Sequence, residues 1–414
     1  MEALFEIIAT ATFGLEAVVK REVETLGYRI LKTEDGRVCY EGDARAIVRS
    51  NLWLRSADRV YIKISEFDAS TFEELFQLTK GISWESYLPL DASFPVVGTS
   101  VKSELHSVPA CQSIIKKAIV ERLKDFYVID GTEGSHFIGG ENKGGGAILP
   151  ETGAEHRVRF SILKDHVLLM LDTSGEGLHK RGYRVKNVDA PMKETLAAAL
   201  VSLSFWKERA MRRGRDEEEE HEARVLVDPC CGSGTILIEA AMMARNIAPG
   251  LGRQFASEKW DFISQDLWKE ERKAAYDAIY DETASNACYI KGFDISAKAI
   301  EAARANADEA GVAEDISFGK INIKKFLASE KSGIIISNPP YGERIGTDKS
   351  IREIYERFAG ILREKKSWSL FIITADKDLE KKLGRRADRK RKLYNGRIET
   401  TYYQFHGERP KKGR

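Results

Sequence analysis

The chain has 414 residues, of which 43% are hydrophobic, and this is enough for two to three domains with sizeable cores. Lys and Arg number 65 against 64 Asp and Glu, so the net charge of +1 identifies no class of partner. No stretch resembles a signal peptide or an apolar span of about 18 residues, and we therefore expect a cytosolic protein. The five cysteines show no zinc-type spacing, so we expect free thiols and no bound metal; they are Cys39, Cys111, Cys230, Cys231 and Cys288.

The first 165 residues alternate short strands with amphipathic helices, a pattern typical of an α+β region. The predicted strands are Leu4–Ala9, Val38–Tyr40, Val60–Phe67, a segment near Phe94–Val101 and two strands within Val158–Leu171 that are joined at Lys164-Asp165. The predicted helices are Leu15–Leu26, a helix from the cap Asp43 through Trp53, Thr71–Thr79 and Pro109–Phe126. The glycine-rich segment Gly131–Gly153 predicts a mobile loop. With 20 basic and 25 acidic residues, this region is not generally basic, and it offers no catalytic constellation.

A cluster of cations follows, formed by Lys180, Arg181, Arg184 and Lys186. Phosphate binding needs clustered cations, which makes Lys180, Arg181 and Arg184 candidates for contact with a nucleic-acid backbone. The alternative is a solvated linker face with no binding role.

The stretch Val225–Ala244 is the most informative part of the sequence. A short β-branched run ends at Asp228, Gly232-Ser233-Gly234 makes a tight turn, and a helical pattern begins at Thr235. Strand, turn and helix in this order form the opening unit of a nucleotide-binding α/β sheet, although a plain βα corner has the same pattern. The glycines let the backbone come close to a ligand, and the N–H groups at the start of the helix favour a carboxylate or phosphate.

Two later segments follow the same plan. Tyr289–Asp294 predicts a second strand that ends in an acid, at the sheet edge where a ribose with two hydroxyls can be bound. Gly333–Ile336 predicts a third strand, which continues into the loop Ser337–Gly342. The Pro-Pro pair in this loop fixes two φ angles and removes two N–H donors, so Asn338 is expected to be held rigidly at the strand end. A rigid turn with a polar cap is the alternative interpretation.

Such a rigid loop suits the activation of an exocyclic amine on a base. The nitrogen lone pair is delocalised into the ring, and it becomes a better nucleophile when two acceptors hold the hydrogens and favour a tetrahedral nitrogen. The side-chain oxygen of Asn338 and the carbonyl of Pro339 are suitable acceptors, Pro340 stiffens the loop, and Tyr341 can stack on the base.

The chain ends in a basic tail. Residues 376–414 hold 14 basic and 6 acidic residues, and Arg385–Lys392 is the densest part. Leu393-Tyr394, a turn at Asn395-Gly396 and the alternating run Thr400–Phe405 predict a closing hairpin. We interpret this tail as a phosphate-facing edge, the alternative being a soluble end.

The motifs DPCCGSGT, GFD and NPPY, in this order, resemble those of the S-adenosylmethionine-dependent amino-methyltransferases, which methylate exocyclic amines of bases or a protein glutamine amide. The resemblance implies S-adenosyl-L-methionine as the cofactor and Asn338, Pro339, Pro340 and Tyr341 as the residues that hold the target nitrogen. It also implies cofactor contacts by Asp228, Pro229, Cys230, Gly232, Ser233, Gly234, Thr235, Asp294, Ile295 and Asn322. Asp294 would take the ribose hydroxyls, and Asn322 would replace the acid that usually bonds the adenine amine.

A second resemblance covers nearly the whole chain. The pattern of residues 45–170, followed by GLHKRGYR and APMKETLAA, is similar to the THUMP-domain RNA methyltransferases, and most of all to the bacterial 23S ribosomal RNA guanine-N2 methyltransferases. The implied fold is a Rossmann-like methyltransferase domain at 173–414, behind an α+β ferredoxin-like piece at 1–60 and a THUMP RNA-binding domain at 61–172. The family that the chain resembles carries an insertion similar to Asn246–Ala287. We expect a single catalytic part.

The implied function is methylation of the N2 amine of a guanine in large-subunit ribosomal RNA, with the RNA or its assembly precursor as partner and no membrane. Three alternatives stay open at this point. They are adenine-N6 methylation of RNA or DNA, glutamine methylation of a protein, and a non-catalytic RNA-binding protein of ribosome assembly. The motifs specify neither the nucleotide nor the oligomeric state.

Overall fold

The computed structural model describes residues 3–129, 149–186, 192–206, 225–280, 290–340 and 348–408. Three features singled out in the sequence lie outside these ranges, namely Tyr341, Cys288 and most of the Gly131–Gly153 loop.

The front half of the chain is built on one seven-stranded sheet with the strand order β2-β3-β1-β4-β7-β6-β5. Only β5 and β6 pair in parallel, and the other neighbours are antiparallel. The strands are β1 Phe5–Ala11, β2 Arg29–Glu34, β3 Arg37–Gly42, β4 Ala57–Asp68, β5 Val96–Val101, β6 Val158–Leu163 and β7 His166–Asp172. The helices are α1 Glu16–Thr25, α2 Ala44–Trp53, α3 Phe72–Lys80 and α4 Val108–Ile129.

Strand β4 joins the two front domains into one sheet. It pairs with β1 through Ala57–Ile62 and with β7 through Tyr61–Asp68. The domain boundary predicted after residue 60 therefore falls inside a continuous strand.

Local signals explain why these elements form where they do. The Asp43 side chain accepts a hydrogen bond of 2.9 Å from the Ala46 backbone N–H, as the predicted cap requires. Thr71 and Glu74 form a capping box at the start of α3. The β6–β7 turn is tight because Lys164 and Asp165 both adopt positive φ, 52° and 63°. Strand β2 was not predicted, because its residues are largely exposed and show no apolar alternation.

The second half of the chain forms another seven-stranded sheet, with the order β10-β9-β8-β11-β12-β14-β13. The five strands from β8 to β12 are parallel, whereas β14 runs antiparallel to both β12 and β13. The strands are β8 Leu226–Asp228, β9 Ile290–Asp294, β10 Ile316–Lys320, β11 Gly333–Ser337, β12 Trp368–Thr374, β13 Arg389–Asn395 and β14 Ile398–Phe405. The helices are α5 Glu194–Leu203, α6 Thr235–Ala244, α7 Gln265–Asp277, α8 Ala297–Glu309, α9 Asp348–Glu364 and α10 Leu379–Leu383.

Both faces of this sheet are buried, as a parallel sheet covered by helices requires. In β11, Ile334 and Ile336 join the large core of the molecule, while Ile335 belongs to a second core on the other face. The last two strands form the predicted hairpin, whose turn contains Gly396 at a φ of 64°.

The insertion between α6 and β9 packs on the first sheet. The Trp260 indole donates to the Glu155 carbonyl at 2.9 Å and stacks on His156 with ring centroids 4.7 Å apart. The Ser257 backbone N–H donates to the Thr173 carbonyl at 3.1 Å. The insertion thus connects the second half of the chain to the first.

Within the described ranges, no helix is both long enough and apolar enough to cross a membrane. The cysteines there, Cys39, Cys111, Cys230 and Cys231, are free thiols.

Candidate active site

The candidate residues meet at the carboxyl edge of the second sheet. Because β8, β9 and β11 are parallel, their last residues Asp228, Asp294 and Ser337 lie at the same edge. This edge beside the first strand is where open α/β sheets bind ligands.

The glycine turn is held against its neighbour β9. The Cys231 N–H donates to the Phe293 carbonyl at 2.9 Å, and the Gly232 N–H donates to Asp294 Oδ2 at 3.1 Å. A Cβ atom at Gly232 would meet open space, whereas one at Gly234 would lie 3.1 Å from Ala303 and Phe318. Gly234 therefore allows close packing at a φ of 81°, and Gly232 presents backbone to the open side of the turn.

Asp228 connects the glycine turn to the Asn-Pro-Pro loop. Its Oδ1 accepts a hydrogen bond of 2.7 Å from Ser337 Oγ and one of 3.0 Å from the Cys230 N–H. The side chain is only 2% exposed. Burial raises the pKa of Asp228 to about 7, and the nearby Asp294 charge adds a smaller effect in the same direction. The hydrogen bonds from Ser337 and Cys230 oppose this rise. Asp228 thus supports both loops from within.

Asp294 lies half-buried at the mouth of the edge. Its Oδ2 accepts the Gly232 N–H, and its Oδ1 accepts the Ser296 N–H at 2.8 Å. An ionised carboxylate offers about four lone-pair sites, so each oxygen keeps one for a further donor. Asp294 is therefore anchored and still able to bind a diol.

The Asn-Pro-Pro segment begins directly after the buried end of β11. Pro339 is buried, whereas Asn338 and Pro340 are half-buried. Asn338 Oδ1 is shielded from solvent and has no hydrogen-bond partner among the residues that the structure describes. Leaving a buried acceptor unpaired costs about 1–3 kcal/mol, so such an atom calls for a donor that comes from elsewhere.

This edge has clear counterparts among known proteins. A family model described as the RMKL-like methyltransferase domain matches residues 181–404. The chain belongs to this RMKL-like methyltransferase family. In the front half, an RlmL ferredoxin-like domain matches residues 6–61 and a THUMP domain matches residues 69–130.

Individual relatives agree with the family match. The chain is 45% identical over 402 residues to a putative RNA methyltransferase, YpsC, of Bacillus subtilis, covering 97% of this chain and 96% of that protein. It is 34% identical to the ribosomal RNA large subunit methyltransferase K/L of Psychromonas ingrahamii. That match covers 96% of this chain and 50% of the other protein, so the chain spans about half the length of this relative. The crystal structure of SMU.472, a putative methyltransferase complexed with SAH, superposes with a TM-score of 0.86 at 42% identity, covering 99% of this chain and 100% of that chain.

These matches confirm the expected family and fold class. The RMKL-like domain is an S-adenosylmethionine-dependent methyltransferase fold of Rossmann-like α/β type, and it follows a ferredoxin-like and a THUMP domain.

Two further residues named from the sequence lie at the same edge of the RMKL-like domain. Ile295 is 64% exposed, directly after Asp294. Asn322 follows β10, and its Oδ1 accepts the Lys324 N–H at 3.0 Å. The remaining lone pair and the amide N–H₂ of Asn322 have no further partner within the described ranges and can make other contacts.

The structure does not place the cations of the linker together on one RNA-facing surface, as the sequence predicted. Arg184 does not face an RNA backbone, because its guanidinium is enclosed by the RMKL-like domain. It donates to Glu194 Oε1 at 2.8 Å, to the Met192 carbonyl at 3.0 Å, and to the hydroxyls of Ser233 and Thr235 at 3.3 and 3.2 Å. The Ser233 and Thr235 side chains are thus turned inward to Arg184.

Arg181 is likewise unavailable to a phosphate. It is 4% exposed, it donates to the Leu178 and Arg55 carbonyls, and its Nε lies 3.4 Å from Glu239 Oε1. Lys180 alone of the three candidates is exposed, where it pairs with Glu176 at 2.6 Å. The predicted cluster separates because the fold encloses its two middle cations, Arg181 and Arg184, and leaves Lys180 and Lys186 exposed.

Two supporting residues were not predicted. Asn306, on α8 and 1% exposed, accepts the N–H groups of Val185 and Lys186 at 3.1 Å each and donates to the Ser233 carbonyl at 3.4 Å. Ser337 holds Asp228, as described above. The only sequence signal for Asn306 was its position among the alanines on the buried face of α8. Nothing in the sequence indicated its partners.

Proposed function

We propose that this enzyme methylates the exocyclic N2 amine of a guanine in large-subunit ribosomal RNA, using S-adenosyl-L-methionine. The Oδ1 of Asn338 is shielded at the edge that also carries Asp294 and has no hydrogen-bond partner in the described part of the chain, and this observation supports the proposal most directly. An amine N–H is a donor of the kind this acceptor lacks. The RNA substrate is supported by the THUMP domain in the front half and by the names of YpsC and the K/L relative.

The residues at the sheet edge fit the cofactor. Gly232 leaves room for a ligand beside the turn, Asp294 keeps acceptors for two ribose hydroxyls, and Ile295 offers an exposed apolar surface for adenine. Asn322 can bond the adenine amine through its free lone pair. Thr235 and Ser233 contribute through backbone, since Arg184 holds their hydroxyls.

The cofactor supplies a methyl group already activated on a sulfonium, so the protein needs no nucleophile of its own. The task of the chain is alignment, which can contribute several kcal/mol to catalysis. Asn338 Oδ1 and the Pro339 carbonyl would accept hydrogen bonds from the two amine N–H groups, which favours a tetrahedral nitrogen with its lone pair available as the nucleophile. The target base has to leave its stack to reach this loop.

Labelled cofactor tests the proposal directly. The purified enzyme is incubated with S-adenosylmethionine carrying a labelled methyl group and with protein-free large-subunit ribosomal RNA, and the RNA is digested to nucleosides. We expect the label in N2-methylguanosine. Label in N6-methyladenosine would establish the adenine alternative, and cofactor binding without transfer would favour a non-catalytic RNA-binding protein.

Asn338→Ala separates chemistry from cofactor binding. Turnover should fall by roughly 100-fold or more, because the lost acceptor acts mainly in the transition state, while the cofactor dissociation constant stays unchanged. Asn322→Ala is the matched control at the same edge, with weaker cofactor binding and near-normal turnover at saturation. Equal losses of cofactor affinity and rate in Asn338→Ala would assign Asn338 a structural role instead.

A further inference from the structure

The C-terminal hairpin rises at the same sheet edge as Asn338. The strand registers show this alignment. Ser337 of β11 pairs with Ile372 of β12, and Ile372 pairs with Tyr403 of β14. Tyr403 pairs in turn with Lys390 of β13, so Lys390 lies level with Ser337 across the sheet. Strand β13 runs in the same direction as β11, so the residues after Lys390 extend beyond the carboxyl edge. Three strand spacings separate β13 from β11, or roughly 14 Å. The hairpin tip therefore projects beyond the carboxyl edge that carries the Asn-Pro-Pro loop, three strand positions away from β11.

The first domain contributes an aromatic side chain to this tip. Arg391 donates to the Gly14 carbonyl at 2.8 Å, and a Cβ atom at Gly14 would lie 2.6 Å from the Lys392 carbonyl, so the β1–α1 loop packs closely on the hairpin. The neighbouring Phe13 meets Tyr394 edge to face, with ring centroids 6.2 Å apart. Phe13 nevertheless stays 47% exposed, so one face of its ring is open to solvent.

Two cations lie on this tip. Lys392 Nζ lies 5.6 Å from the centre of the Tyr394 ring and pairs with Glu399, but both charged side chains are about half exposed, 52% and 50%. Such an exposed pair contributes little to stability, so Lys392 can exchange it for a phosphate. Arg397 is exposed in the turn and has no ion-pair partner in the described part of the chain.

Phe13, Lys392, Tyr394 and Arg397 are called the hairpin patch below. Cations beside exposed aromatic rings are the combination that binds single-stranded nucleic acid, since the cations contact phosphates and the rings stack on bases. A base that enters the Asn338 loop leaves flanking nucleotides outside, and the hairpin patch lies within reach of a few of them.

We propose that the hairpin patch binds an unpaired segment of the substrate RNA next to the target nucleotide. Arg397 and Lys392 contact its phosphates, and Phe13 stacks on one of its bases. The first domain thus takes part in RNA binding at the catalytic edge, apart from any contact made by the THUMP domain. This inference rests on the proposed RNA methyltransferase function and specifies where the RNA lies.

The test uses two variants of the patch and one control in the full-length chain. Arg397→Glu reverses a charge in the patch, and Phe13→Leu keeps an apolar side chain while removing the stacking ring. Arg389→Glu is the matched control, because Arg389 is also exposed on β13 but lies at the other end of the strand, level with Gln404 and Phe371. Thermal unfolding and cofactor calorimetry verify that all three variants remain folded with normal cofactor affinity.

Filter binding of in vitro transcribed large-subunit ribosomal RNA is measured over a salt series, together with methyl transfer. We expect Arg397→Glu to weaken RNA binding by about 3- to 10-fold and to reduce the salt slope by about one. Phe13→Leu should weaken binding by about 5-fold with an unchanged salt slope, because it removes stacking and no charge. Arg389→Glu should resemble the wild type.

The outcomes separate this inference from the proposed function. If the wild type methylates RNA and both patch variants behave like Arg389→Glu, the hairpin patch is not a binding surface and the proposed function stands. Equal losses of RNA affinity in Arg397→Glu and Arg389→Glu would mean that RNA responds to the overall charge of the protein and not to the hairpin patch. That result would also overturn the inference. A wild type that binds cofactor but methylates no RNA overturns the proposed function itself.

Discussion

The basic residues of the linker and those of the C-terminal hairpin look alike in the sequence, but the fold uses them in opposite ways. Arg181 is enclosed and paired with Glu239 of helix α6, and Arg184 is enclosed and paired with Glu194 beside the glycine turn. On the hairpin, Lys392 and Arg397 stay in solvent. A cation is available to RNA only when no carboxylate or carbonyl of the fold takes its donors, and this cannot be seen from local charge density. Four predictions contrast charged groups that the fold encloses with charged groups that it leaves in water, from the largest expected effect to the smallest.

Removal of the buried linker cation should have the largest effect. Arg181→Ala removes the ion-pair partner of buried Glu239. Among the described residues this leaves the Tyr183 hydroxyl, 3.0 Å away, as hydrogen-bond donor and the nearby charge of Arg55. Breaking one side of a buried ion pair costs about 3–5 kcal/mol, so the free energy of unfolding in urea should fall by that amount. Lys180→Ala, one residue earlier in an exposed pair, should change it by less than about 1 kcal/mol. Similar losses in both variants would contradict the assignment of Arg181 to the interior.

The buried acid of the glycine turn should show itself in the pH dependence of stability. The pKa of Asp228 is raised to about 7 in the folded chain from 3.8, mainly by burial, so the folded state binds more protons than the unfolded state between these values. Stability should therefore fall as the pH rises from about 4 to about 7 and level off above, by about 4 kcal/mol at most.

Asp228→Asn keeps an acceptor for Ser337 and Cys230 but cannot ionise. Its unfolding free energy, measured in urea without cofactor, should lack this fall relative to the wild type. Parallel pH profiles of the two proteins would mean that Asp228 ionises normally in the folded chain.

Arg184 should affect the cofactor rather than RNA. Arg184→Lys retains the charge but loses the planar fork that reaches Glu194, Ser233 and Thr235 together. Misplacement of the glycine turn should weaken S-adenosylmethionine binding by about 10-fold, or roughly 1.4 kcal/mol, as measured by calorimetry. The RNA affinity of the variant, measured without cofactor, should be unchanged. A variant that loses RNA affinity and keeps cofactor affinity would show instead that Arg184 contacts RNA.

The smallest effect is expected on the hairpin. Lys390 forms an ion pair with Glu380 at 2.9 Å, and the two side chains are 53% and 23% exposed to solvent. Lys390→Ala should change the free energy of unfolding by less than about 1 kcal/mol, and added salt should reduce the difference further. A loss as large as that of Arg181→Ala would remove the distinction between the two basic regions.

Much of the fold could be predicted from the sequence because its signals are local. The strand, turn and helix around Gly232 and Gly234, the cap at Asp43 and the turn at Lys164-Asp165 depend on residues a few positions apart. The proposed site residues Asp294 and Asn338 were found for the same reason, since each follows directly on an apolar run. The edge strand β2 was missed, because its pairing with β3 forms the strand and its own composition does not.

The amino-acid sequence by itself determined the order of the elements and the family motifs at their ends. Only the tertiary structure decided which charged groups are enclosed. Arg184 finds Ser233 and Thr235 about fifty positions away, Asn306 holds the linker from 120 positions away, and Asp228 meets Ser337 across 109 positions. Such contacts arise from the packing of strands and helices that are distant along the chain. The energetic value of a charge depends on these neighbours and on its exposure to water, which a local pattern does not contain.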